Sequence, residues 1–271
     1  MFYREIPPAL HLRDLVKCYW VLQSGGADGV RHAERILPDG CVEVVFNFSD
    51  PFHHLRDNQA AASQPAALAV GQMRAHMLIQ PGRAIDLFAI RFRPGGAFPF
   101  FGFPLRALTD VADDLTLLHD PEFATMLSAL AEAPDTGARV DTVEHTLTRR
   151  ASRHGPRDVL VGAALDLLRE AQVSRPIAGL ADQLGVGARQ LERRFDRAVG
   201  LPPKVISRIF RFHRLLRTLQ APLGTTPAAR PAHGYYDESH LLRDFKAFTG
   251  QTPADYAIDW HALSDQFIGQ P

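Results

Sequence analysis

Leu191-x-Arg193-x-Phe195-x4-Gly200-x2-Pro203 and Leu241-x-Arg243-x-Phe245-x4-Gly250-x2-Pro253 are one pattern written twice, 50 residues apart. Each shared position has a physical job. Leu and Phe four apart share a helix face and can anchor it to a core. The Arg lies about 200° round from the Leu and points outward. Gly ends the helix and Pro opens the next segment. A shorter amphipathic segment and a Gly-containing turn precede each copy: Ile177 to Leu184 then Gly185, and Pro227 to His233 then Gly234. That is the layout of a helix-turn-helix, present twice. Two units are too few for a solenoid, and the pairing points to a reader of DNA.

Within Ala188–Val199 the residues Leu191, Phe195 and Val199 form a buried stripe, opposite Arg189, Gln190, Arg193 and Arg197. In the second copy Ser239, His240, Arg243 and Lys246 lie opposite Leu241, Phe245 and Phe248. Arg donates two hydrogen bonds to guanine, Gln reads adenine, and Ser, His and Lys reach base edges or phosphates. These eight residues are the candidate DNA contacts. Pro203 to Gln220 should form one helix about 25 Å long, with Val205, Ile209, Phe212, Leu216 and Leu219 inward and Arg208, Arg211, Arg214 and Arg217 outward. Such a spacer can hold two reading helices near the ~34 Å repeat of DNA.

The segment Gly234-Tyr235-Tyr236-Asp237-Glu238-Ser239-His240-Leu241-Leu242-Arg243-Asp244-Phe245-Lys246, followed by Phe248-Thr249-Gly250 and Thr252-Pro253, resembles the AraC/XylS family of bacterial transcriptional regulators. Leu180-Ala181, Arg189 to Phe195 and Gly200 support the resemblance, which spans roughly residues 157–257. It implies a seven-helix domain laying two recognition helices into successive major grooves. By position it adds Glu192 and Glu238 to the base contacts, although the helical wheel does not favour them. The chain departs from the family pattern at Gly187, where Ser usually caps the first recognition helix, and at Gly179 inside the preceding helix. It departs again at Ala228-Ala229-Arg230-Pro231-Ala232-His233, where Pro231 should weaken the second scaffold helix.

Charge divides along the same line. Residues 1–148 hold 12 of the 30 Lys and Arg and 18 of the 30 Asp and Glu, a net of −6, which leaves residues 149–271 at +6. A basic half fits a polyanionic partner. Two cysteines, Cys18 and Cys41, are too few for a disulfide framework or a tetrahedral cysteine zinc site, and thiols in a reducing compartment are expected. The first residues lack a signal-peptide plan and no apolar run reaches about 18 residues, so a cytoplasmic protein without a membrane partner is expected.

Residues 1 to about 110 read as β structure. Cys41–Phe48 alternates Val42, Val44, Phe46 and Phe48 against Cys41, Glu43, Val45 and Asn47. Runs at 18–23, 68–73, 76–80 and 84–93 are separated by Gly- and Pro-rich turns, while 60–67 reads as a loop. From Pro121 the period becomes helical, with helices expected at Pro121–Ala133, Ala138–Arg150 and Arg157–Ala171. The expected class is α+β: a β-rich, cupin-like barrel or sandwich at 1–118, a helical connector at 119–154, then the all-α double helix-turn-helix domain at 155–260. Cys18-Tyr19-Trp20, Ile36 to Glu43, Val70-Gly71-Gln72 and Arg91 to Gly96 resemble an uncharacterised domain that precedes many such DNA-binding regions. In the wider family the β domain binds a small effector and adjoining helices often dimerise. Double-stranded DNA, RNA polymerase, a small effector and a second copy of the chain are thus the implied partners, with no cofactor.

An enzyme is the competing reading. His32, His53, His54 and His76 with Glu34 supply metal-ligand types, but the His-x-His spacing of cupin sites is absent and neighbouring strand residues face opposite ways. The Phe98, Phe100, Phe101 and Phe103 cluster fits a packed core better than a pocket, Asp39-Gly40 is turn chemistry, and no nucleotide loop or nucleophile elbow occurs. The expectation is a regulator without enzymatic activity. The alternatives are a cupin-type metalloenzyme fused to a DNA-binding region, or a degenerate regulator acting through protein partners.

Overall fold

The computed structural model describes residues 1–25, 32–55, 61–171, 176–220 and 234–258. Strands β1 (Phe2–Ile6), β2 (Val16–Ser24), β3 (Glu34–Ile36), β4 (Glu43–Asn47), β5 (His53–Leu55), β6 (Ala62–Ser63), β7 (Ala67–Val70), β8 (Met77–Gln80), β9 (Ile85–Phe92) and β10 (Ala112–Asp114) form two antiparallel sheets. The larger runs β1-β2-β9-β4-β7-β10 and the smaller β3-β8-β5-β6. Four short strands, β1, β3, β5 and β10, lie outside the runs read from the sequence, and β6 interrupts the segment read as a loop.

The period of two decides what each face of the large sheet packs against. Tyr19, Val21, Val44, Phe46, Phe88, Ile90 and Phe92 face helices. Cys18, Trp20, Leu22, Leu68, Val70, Leu87 and Ala89 face the small sheet. The sheet is apolar on both sides because both sides are covered, so its strands read as near-continuous hydrophobic runs.

The helical side is built by α1 (Phe98–Phe101), α2 (Pro121–Glu132) and α3 (Thr136–His154). Pro121 opens α2 at its first turn and Asp120 caps it by accepting from the Glu122 amide; Asp135 caps α3 through the Ala138 amide. Phe100 and Phe101 are buried and pack in tilted and edge-on contacts with Phe92 and Phe123, so the phenylalanine cluster is core. Phe123, Met126, Leu130, Val143 and Leu147 complete the same core, so the two helices expected as a connector are packed onto the sheet. Buried Arg150 locks α3 to its neighbours. It bonds the Phe100 carbonyl, pairs with Asp120 and Glu122 at 2.7 and 2.9 Å, and lies over the Phe123 ring.

The second core is made by α4 (Val159–Glu170), α5 (Ile177–Gln183), α6 (Ala188–Ala198), α7 (Pro203–Gln220), α8 (Glu238–Thr249) and α9 (Pro253–Ile258). Helix α7 is the spacer foreseen from the sequence, but its buried surface is much wider than one stripe. Ile206, Ser207, Ile209, Phe210, Arg211, Phe212, Leu215 and Leu216 are all buried, while Val205 is half-buried. The outward placement of Arg211 is overturned: it is 2% exposed and ion-paired inside the domain. A helix wrapped by neighbours on several sides has no wholly solvated face on which to keep four arginines. The segment carrying Pro231 lies outside the described residues. Among the described residues no helix is long and apolar enough to cross a membrane.

The two halves meet along an extensive seam. Leu37 of the β domain inserts into the helical core. His213 of α7 donates from Nε2 to the Pro38 carbonyl at 2.7 Å, and a Cβ on Gly40 (φ +84°) would lie 3.3 Å from Phe210 Cε1. Arg106 pairs with Asp196 at 2.7 Å, and Thr109 donates to the Gly200 carbonyl at 2.6 Å. Arg35 donates to the Thr249 carbonyl at 2.6 Å, while the His76 ring lies on Gly250, 2.5 Å from where a Cβ would stand. One domain therefore touches both helix-turn-helix units and the spacer between them.

Candidate DNA-reading face and domain-junction cavity

Helices α5 and α6 form the first unit. Gly185 takes the left-handed conformation (φ +67°) that makes the tight turn, and Leu180, Ala181, Leu191, Phe195 and Ala198 seal the pair. Gly187 occupies the N-cap of α6 with no side-chain cap. Arg194 pairs with Asp158 at 2.7 Å, the residue that also caps α4, so α6 is tied to the start of α4. Arg189, Gln190, Glu192 and Arg193 remain exposed along one arc. Arg197 is exposed too, but its guanidinium lies 4.7 Å from the Phe98 ring of the β domain. Arg193 and Arg197 share a cleft with Phe98, Arg106 and Asp158.

In the second unit Asp237 caps α8 by accepting from the His240 amide at 2.6 Å. Leu241, Phe245 and Phe248 are buried, with Phe245 and Phe248 against Phe212. Ser239, Arg243 and Lys246 are exposed, and Arg243 Nε donates to the Ser239 carbonyl at 3.2 Å. His240 is half-buried and drawn toward the interior. Its Nε2 accepts from Arg211 at 3.0 Å, and its ring stands edge-on to Tyr235. Beneath it Asp244 receives Arg211 at 2.7 Å and Arg208 at 2.8 Å, binding α8 to α7. Six of the eight candidate contacts thus point to solvent without an inter-domain partner among the described residues, while Arg197 and His240 have partners inside the protein.

A second feature lies between the two sheets: a cavity of about 110 Å³. Its walls are apolar, from Trp20, Leu22, Val45, Leu68, Val70, Met77, Ile79 and Leu87. Asn47 and Gln64 also border it, and one end is ionic. There Arg91 bonds Asp39 and, at 2.8 Å, Glu43, whose Oε1 also accepts from Trp20 Nε1 at 3.4 Å. His213 of α7 closes that end. Burial lowers the His213 value and favours the neutral ring, although Asp39 opposes it. Burial also works against ionised Asp39, but Arg91 and the Cys41 amide outweigh it and hold the carboxyl below the usual range. For Glu43 burial prevails over Arg91 and the value is raised. Burial likewise opposes a charged Arg91, yet the two carboxylates keep it firmly protonated. Burial and then Asp39 push the Cys41 thiol up to about 12, leaving it a poor nucleophile.

Sequence reasoning read Asp39 as a turn residue and did not single out Glu43, Arg91 or His213. The available signal was Arg91 on the buried alternation of β9, since a charge inside a sheet needs an opposite partner. The motifs read separately in the first half converge here. Gln72 donates to the Gly40 carbonyl at 2.6 Å, behind the turn that carries Asp39. Among the described residues no group of three or more His, Cys, Asp or Glu could hold a metal ion.

The α5–α6 helix-turn-helix and a second recognition helix, α8, both packed on one spacer helix, match the plan of a double DNA-reading domain. Residues 180–257 match the model of a helix-turn-helix domain, and residues 4–112 match that of a domain of unknown function (DUF6597). The chain thus carries an AraC-type helix-turn-helix domain behind an uncharacterised β-rich domain. No curated protein matches its sequence. Among solved structures it is similar to ToxT from Vibrio cholerae O395, at 7% identity and a TM-score of 0.44 over 88% of this chain and 95% of that chain. It is also similar to ToxT bound to (E)-4-(8-methylnaphthalen-1-yl)but-3-enoic acid, at 8% identity and 0.47 over 95% and 99%. Nothing of ToxT's chemistry transfers at such identity.

Proposed function

We propose that this regulator reads DNA with α6 and α8 and adjusts that reading to a small molecule held in the junction cavity. Arg189, Gln190 and Arg193 are the base and phosphate contacts of the first unit, and Ser239, Arg243 and Lys246 those of the second. The observation that carries the reading is His213: the helix that spaces the two recognition helices also forms a wall of the cavity. An occupant that binds better in one arrangement of α7 against the Pro38–Gly40 turn shifts the population of that arrangement. By linkage, DNA then changes the affinity for the occupant by the same factor. In this reading residues 1–118 are the sensor, 119–154 brace it and 155–260 bind DNA. RNA polymerase and a second copy of the chain are further partners.

Protection mapping on the DNA flanking the chain's own gene tests this. Two protected major-groove segments about one helical turn apart are expected, both weakened by Arg189→Ala with Arg193→Ala. Absence of any protection by the folded protein refutes it.

A further inference from the structure

The two shared glycines of the repeat, Gly200 and Gly250, end α6 and α8 in the left-handed conformation (φ +91° and +74°), and the β domain meets both. At α6, Thr109 Oγ1 donates to the Gly200 carbonyl at 2.6 Å, and a Cβ on Gly200 would stand 2.8 Å from the Leu105 carbonyl oxygen. At α8, Arg35 Nη1 donates to the Thr249 carbonyl at 2.6 Å, and a Cβ on Gly250 would stand 2.5 Å from the His76 ring. The last carbonyls of a helix have no partner within it and carry the negative end of its dipole, so a hydroxyl and a guanidinium suit them. At both glycines the β domain fills the space that a side chain would need.

The two grips stand on different sheets. Arg35 pairs with Leu78 in the β3–β8 ladder of the small sheet, and His76 directly precedes β8. Leu105 and Thr109 lie just before β10, whose Ala112 pairs with Val70 of the large sheet. The separation of the grips is therefore a dimension of the sandwich. The spacer alone joins α6 to α8 by one path: α6 runs into α7 through Leu201 and Pro202, and Asp244, Phe245 and Phe248 seat α8 on α7. The β domain adds a second path between the same two helices. The closed circuit resists changes of separation and angle that a single path allows.

We propose that the β domain sets the spacing at which the two helices read DNA, with Thr109 and Arg35 as positioning residues that act through the helix ends. This rests on the reading of α6 and α8 as paired recognition helices. Half-site spacing is a geometric property of the protein, so a braced pair of helices accepts one spacing and an unbraced pair accepts several. Choosing bases and measuring the distance between them then fall to different residues: Arg193 and Arg243 do the first, Thr109 and Arg35 the second.

Selection of bound duplexes from a random-sequence library by the full chain, followed by sequencing, tests this. The unaltered chain should enrich two half-sites at one spacing. Inserting two base pairs between them moves the second by about 7 Å and turns it by about 70°, and should weaken binding at least about tenfold. Thr109→Val with Arg35→Met should enrich several spacings and narrow that penalty to about threefold or less, a change within the worth of two hydrogen bonds, with affinity for each half-site alone unchanged. Thr109→Ser with Arg35→Lys, which keeps a donor at each place, should restore the single spacing. A double variant that retains the full penalty, a parallel loss on single half-sites, or an unaltered chain without a spacing preference overturns the proposal and leaves two recognition helices. Enrichment of one half-site alone, or of none, overturns the underlying reading as well. Should the double variant fail to fold, Thr109→Val alone decides, and its penalty must fall.

Discussion

Changing Asp244 to Ala should unfasten the second recognition helix. The carboxylate is 4% exposed, receives Arg211 at 2.7 Å and Arg208 at 2.8 Å, and joins α8 to α7. Arg208 is about one-third exposed and can turn to water, so its loss costs little. Arg211 has no such exit. Its side chain is 3% exposed, its Nε is already buried without a hydrogen-bond partner among the described residues, and its other contacts are His240 and the Tyr235 ring, 4.6 Å away. Removing one member of a buried pair costs about 3–5 kcal/mol because the other charge is stranded. Set against a total stability of about 5–15 kcal/mol, that is enough to melt α8 locally before the rest of the chain. Denaturant unfolding should shift by that amount, amide exchange across Glu238–Thr249 should accelerate, and DNA protection should survive only at the first unit. The control is Asp244→Leu combined with Arg211→Met, which removes both charges and should recover stability to within about 1 kcal/mol. A loss below about 1 kcal/mol in the single variant, or a double variant no better than the single, would refute the claim that this pair fastens the unit.

Arg193→Ala should weaken specific DNA binding by about 1–3 kcal/mol and relax base preference at one position; titration against operator variants checks it, and a uniform loss across sequences would assign Arg193 to phosphate. Gly179→Ala should raise stability by about 0.5–1 kcal/mol, because Gly179 lies inside α5 and a Cβ there meets nothing within 4 Å. Unchanged denaturant midpoints would mean that α5 gains nothing from a stiffer backbone. The His213 contact should weaken in acid. Its value is lowered on folding, so its contribution is full above the unfolded value of 6.5 and declines as pH falls from there through the folded value. Glu43 titrates with the opposite sign, since its raised value favours the folded state toward acid. The stability difference between the native chain and His213→Gln removes that common background. It should be flat above about pH 6.5 and shrink below; a difference independent of pH would show that the ring is not buried neutral.

The exposure of the candidate reading surface was legible because its information is local. Leu191, Arg193 and Phe195 sit within one turn and a half of helix, and the pattern recurs at Leu241, Arg243 and Phe245, so period and repeat suffice to separate inward from outward side chains. Even there, legibility stopped where tertiary packing intervened. The arc that carries His240 looks solvent-facing until Arg211 and Tyr235 are brought beside it, and the four arginines of α7 look alike until Asp244 arrives from α8 to single out Arg211. The cavity was illegible for the same reason in stronger form. Asp39, Glu43, Arg91 and His213 come from a turn, two strands and a helix, and 122 positions separate Arg91 from His213. Nothing in the neighbourhood of His213 distinguishes it from a solvated helix residue; only the docking of Leu37, Pro38 and Gly40 on α7 buries it. Alternation did place Glu43 opposite Val44 and Phe46, on the side that proves to line the cavity. Yet an acid on a strand face is read as solvent-exposed unless the second sheet is known. The same seam explains why charge segregation was informative without being sufficient. The −6 half does not merely stand apart from DNA: through Arg35, Arg106 and Phe98 it holds both units of the +6 half. The chain's neutrality thus hides two oppositely charged halves, joined where Arg91 and its two acids meet the spacer helix.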